Sequence, residues 1–157
     1  MTETWDLPVR TALFFAIYTH VFLHRTDIIK DAEWDFIQLF LPESQSHFSK
    51  EEVDVSYQSF LSKEGLYQKE LQQFLHDWQK TYDLVKALFF TLLTELDLYQ
   101  DSSVDHKNLF NRYLRLAQDY IGGENVGLVH AIMIKLFESR GLELNHTEIN
   151  TDKKENA

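Results

Sequence analysis

The side chains able to do chemistry are few and poorly grouped. His20 and His24 stand four residues apart, one helical turn, which is metal-ligand spacing. They lack the glutamate of a His-Glu-x-x-His helix, and the sequence fixes no acidic third ligand. The expected role is two histidines on or beside a helix face. Ser102, Asp105 and His106 are the residue types of a hydrolase triad. Such near neighbours do not easily reach triad geometry, and Ser or Asp ahead of a helix is an ordinary cap. Gly122-Gly123 lacks the strand and the glycine spacing of a phosphate loop and reads as a helix stop. Glu51 and Glu52 read as a solvated helix start favoured by the macrodipole. Asn145-His146-Thr147 has the form of a glycosylation acceptor. The chain starts with Glu3 and Asp6 and no basic run, so no secretory signal is expected and the match reads as chance. Lys153-Lys154, flanked by Asp152 and Glu155, is too short for a nucleic-acid arm. The expectation is a protein with no catalytic residue, no metal ligand and no cofactor.

Composition narrows the class. The chain has 157 residues, 44% hydrophobic and 14% aromatic, enough for a core and against disorder. With no cysteine there is no disulfide, thiolate zinc site or thiol nucleophile, which suits a cytoplasmic protein. The formal net charge is −10. Nucleic-acid binders usually carry a basic patch, so RNA affinity here is expected to be local, weak or shared with a partner. The apolar run Leu13–Leu23 is too short to span a bilayer and contains His20, so no membrane association is expected.

The elements that must position these residues are helices. From Tyr82 to Leu98 apolar pairs recur every four residues: Leu84/Val85, Leu88/Phe89, Leu92/Leu93, then Leu96. Phe90 adds apolar surface off that face, so this segment is expected at the centre of the fold. A first helix is expected from Pro8 to about Arg25, with Leu13, Phe14, Ile17, Tyr18, Val21 and Phe22 inward. A second, about Ile28–Phe40, follows a break at Thr26-Asp27 and ends before Pro42. Ser49-Lys50-Glu51-Glu52 has the form of a capping box for a third. A break or kink near Gly65 is expected to separate it from a fourth, with Leu66, Leu71, Phe74, Leu75 and Trp78. The last two are expected at His106–Ile121 and from Glu124 or Asn125 to about Arg140, stopped by Gly141. The inward side of the last is expected to carry Leu128, Val129, Ile132, Met133, Leu136 and Phe137. Residues 1–141 read as one all-α domain and 142–157 as a flexible polar tail.

Several of these segments resemble a known family. Arg10-Thr-Ala-Leu-Phe-Phe-Ala-Ile-Tyr18 resembles the first-helix motif of the NusB family of bacterial transcription antitermination factors, roughly Arg-x-x-Ala-x-Gln-x-Leu-Tyr. Arg10, Ala16, Ile17 and Tyr18 fit; Leu13 and Phe15 stand where the family has Ala and Gln. Val53-Asp54-Val55-Ser56-Tyr57 with Leu61 looks like the family's third-helix start. Leu93-Thr94-Glu95-Leu96 is similar to its Leu-Tyr-Glu-Leu, with Lys86-Ala87 upstream and Phe90 in place of the usual Arg. Lys107, Asn111, Leu116 and Ala117 match the following helix, where Arg112 replaces Glu. Leu128–Leu136 is similar to the family's last helix, with His130-Ala131 standing for Asn-Gly. The likeness covers about residues 10–136 in register.

The resemblance implies a compact seven-helix NusB-like bundle of two small helical subdomains. It implies a scaffold that binds a NusE-type ribosomal protein and, jointly with it, boxA RNA, and that reaches the RNA polymerase complex indirectly. Arg10 then contacts RNA, or pairs with a nearby acid. Tyr18 touches the protein partner, or belongs to the core. Glu124 holds an acidic loop position near the RNA side and binds the partner there, or is a helix-capping charge. Homodimers occur among relatives. The family's Arg-rich start is missing: Met1–Val9 holds no Lys or Arg. Every phosphate that goes without a basic partner weakens RNA binding and its salt dependence. The alternative is therefore a NusB-fold protein-interaction module that has lost RNA binding.

Overall fold

A helix that is apolar all round must be covered all round. The segment Asp83–Leu98 meets that description, and in the computed structural model Val85 and every residue from Ala87 to Leu96 are buried. The structure describes residues 7–24, 26, 28, 50–99 and 105–142. Among the described residues there are five α-helices and no strand. They are α1 (Leu7–Leu23), α2 (Lys50–Leu71), α3 (Asp83–Leu98), α4 (His106–Tyr120) and α5 (Asn125–Ser139). A 3-10 turn, Trp78–Lys80, precedes α3. The chain divides into two compact units, Met1–Ser102 and Ser103–Ala157, where the sequence reading runs 1–141 as one domain. The expected helix Ile28–Phe40 and the Ser49 cap lie outside the described residues, apart from Ile28, which is buried.

In the first unit α1 and α2 both pack on α3 and on each other. Leu13, Phe14 and Ile17 of α1 are fully buried, as their spacing predicts. Phe22, expected inward, is 59% exposed, because α1 ends at Leu23. His24 then takes a left-handed φ of 58°, and its N–H donates to the His20 carbonyl at 2.7 Å. The helix therefore stops short of the expected Arg25. From α2 come Val53, Tyr57, Phe60, Tyr67 and Leu71. Phe60 and Trp78 enclose Phe90, with ring centroids 5.1 and 5.7 Å away. Phe90 thus fits an apolar nest that has no place for a charged side chain. Thr91 and Thr94, also buried in α3, return their hydroxyl hydrogens to the Ala87 and Phe90 carbonyls, both at 2.7 Å.

The expected kink at Gly65 is absent. One helix runs from Lys50 to Leu71 through it. A single glycine costs a helix only about 1 kcal/mol, and five large side chains anchored on α3 and α1 outweigh that. The actual break comes after Leu71, where the chain turns into the 3-10 segment. In the second unit α4 and α5 form a hairpin. Asp105 caps α4, its Oδ1 accepting from the Lys107 and Asn108 N–H groups at 3.1 and 3.2 Å. Leu109, Phe110, Tyr113, Leu116 and Ala117 are buried in α4. Their counterparts in α5 are Val129, Ile132, Met133, Leu136 and Phe137. Leu128, expected inward, is 44% exposed, because it lies on the flank of α5 beyond Ile132. Gly141, with φ 73°, closes α5, and the Leu142 N–H reaches back to the Phe137 carbonyl at 2.9 Å.

A Cβ added at Gly65 meets nothing within 4 Å. Gly65→Ala is expected to raise unfolding stability by about 0.5–1 kcal/mol, seen as a higher urea midpoint at unchanged slope. A lower midpoint contradicts the continuous helix.

Candidate docking surfaces and the predicted site residues

Arg10 belongs to the core. It is 2% exposed, and its guanidinium forms a two-pronged pair with Glu95 of α3, itself 0% exposed. Nε donates to Glu95 Oε1 at 2.9 Å and Nη2 to Oε2 at 2.7 Å. A parallel fork of this kind is the strong form of an ion pair. Of the two roles open to Arg10, pairing with an acid is the one this geometry fits. The guanidinium presents no open face to a phosphate in solvent.

Tyr18 lies two turns further along α1 and is half-buried. Its ring stacks on Phe22, centroids 6.0 Å apart with the planes 23° from parallel. Tyr18, Phe22 and Leu23 leave apolar surface at the C-terminal end of α1. Glu124 lies in the other unit, exposed, at the start of α5, and makes no side-chain cap bond. A carboxylate there still faces the positive end of the helix dipole.

Polar side chains also join α1, α2 and α3. His20, 6% exposed, sets Nε2 2.9 Å from Glu64 Oε1. Its ring meets Tyr57 and Phe60 edge-on at 6.2 and 5.4 Å. His24 follows the helix in a left-handed conformation, so the two histidines do not share a helical face. Among the described residues no group of three or more His, Asp or Glu side chains converges as a metal site would. Tyr67 donates to Asp97 Oδ2 at 2.7 Å, and Lys63 Nζ lies 3.7 Å from the same oxygen. Lys86 sits over the Trp78 ring, 4.8 Å from its centroid. Burial, and secondly the charge of Asp119, raises the pKa of the Tyr120 phenol above its ordinary value. These contacts join helices or finish helix surfaces.

No family model, curated protein or solved structure matches this chain.

The sequence reading misses Glu95 as the partner of Arg10. The signal is present: Glu95 is the one acid between Leu84 and Leu96, flanked by Leu92, Leu93 and Leu96. A carboxylate on a fully covered helix needs a cation. Removing one member of a buried pair is costly, while replacing both by apolar groups is not. Arg10→Met is expected to destabilise the protein by about 3–5 kcal/mol in urea unfolding, and Arg10→Met with Glu95→Leu to recover most of it. Equal destabilisation in the single and double variants contradicts the pairing.

Proposed function

We propose that this chain is a non-catalytic helical module that works by docking a protein partner, without binding RNA through Arg10. The observation that carries this reading is the buried Arg10–Glu95 pair. Arg10 is the one cationic side chain in the first eighteen residues, and its charge is committed inside the fold. The net charge of −10 points the same way, since it repels a polyanion. The Tyr18–Phe22 stack supplies an apolar contact of the kind a protein surface covers.

The order and spacing of motifs over residues 10–136 support a NusB-like bundle as the type of module, and with it a bacterial, cytoplasmic scaffold. A NusE-type ribosomal protein is then the partner to try first. That same continuous register favours a second reading: a transcription antitermination factor that binds boxA RNA only jointly with NusE, within the RNA polymerase complex.

One titration separates the two. With the immobilised 157-residue chain, NusE is expected to be retained, while boxA RNA gives no gel shift at low salt beyond that of NusE alone. A cooperative shift with all three components overturns the first reading in favour of the second. Failure to retain NusE removes the NusB-like assignment of the partner.

A further inference from the structure

Helix α5 has an outward side as ordered as its inward one. Turned away from the buried row lie Glu124, Leu128, Ala131 and Lys135, all exposed. Their spacing of four, three and four residues is that of a coiled-coil seam. Glu124 has helical backbone angles, φ −67° and ψ −23°, so the period runs through it. Leu128 is 44% exposed and Ile134, beside the seam, 37%. Gly127 lies along the same edge as Ile134, one heptad before it. Nothing stands within 4 Å of a Cβ added there, so no close approach inside the chain calls for glycine. Glycine is also among the poorest residues for a helix.

We propose that α5 pairs antiparallel with α5 of a second copy of this chain. When two such helices run in opposite directions, the seam matches itself. Leu128 of each copy meets Ala131 of the other, and Lys135 of each meets Glu124 of the other. The result is four layers, apolar in the middle and oppositely charged at both ends. Along the edge, Ile134 of one copy lies over the bare backbone of Gly127 of the other, which accounts for the glycine. A parallel pair would set Glu124 on Glu124 and Lys135 on Lys135, so the charges select the antiparallel arrangement. The seam spans only about 16 Å of helix. It buries less than the ~1,200 Å² typical of stable complexes, so the dimer is weak and depends on concentration. This pairing does not rest on the docking of another protein; either can fail alone.

Sedimentation velocity of the full chain across a dilution series at low salt tests it. The sedimentation coefficient is expected to rise with concentration, and Leu128→Asp to hold the chain monomeric. Glu124→Lys and Lys135→Glu are each expected to weaken the dimer roughly ten-fold, and the two together to restore it, since contacting positions are coupled and the double variant sets opposite charges against each other again. All of these positions are exposed, and circular dichroism verifies that the variants stay folded. A monomer at every concentration overturns the proposal. So does a dimer that survives Leu128→Asp, or a charge swap that stays as weak as the single variants.

Discussion

Arg10 and Glu95 meet where neither can meet water. A guanidinium and a carboxylate so placed must find each other, because each alone in an apolar interior carries a desolvation cost of several kcal/mol. Sliding α1 by one turn along α3 would separate them by about 5 Å and leave both uncompensated. Apolar side chains tolerate such slips far better, since Leu13, Phe14 and Ile17 would find other methyl groups to touch. The pair therefore selects one arrangement of α1 on α3 from several that hydrophobic burial alone would nearly equate. The contact of α1 with α2 through His20 and Glu64 is made from that same placement of α1.

The rest of the interior follows the same rule with less at stake. The hydroxyls of Thr91 and Thr94 are satisfied by the preceding turn of their own helix, so α3 can be covered without another polar partner. Thr11 Oγ1 is buried without a hydrogen-bond partner among the described residues. His20 combines both modes, apolar against Tyr57 and Phe60 and polar at Nε2.

What can be read from the sequence is whatever repeats. The central helix is legible because its apolar residues recur at helical spacing, and Asp105 and Gly141 because caps and stops are local chemistry. Positions set by geometry beyond the period are not. Phe22 and Leu128 fit an inward period and still face out, one because its helix ends, the other because it lies on the flank of its helix beyond Ile132. Gly65 looks like a break when its low propensity is weighed without the packing around it. Arg10 looks like a surface cation because nothing local announces a partner in another helix; only the isolation of Glu95 among leucines does.

Gly122 and Gly123 join α4 to α5 with φ of 72° and 53°, both left-handed, and the Gly122 N–H holds the Ala117 carbonyl at 2.8 Å. Side chains with a Cβ are strained there by roughly 1–2 kcal/mol apiece, asparagine least. Variation through this surface corner is thereby confined to a narrower alphabet than in the interior, where leucine, isoleucine and methionine interchange at modest cost. In this protein an outlying bend can be a stricter filter on drift than the heart of the fold, and a sequence profile would mistake it for a site of action.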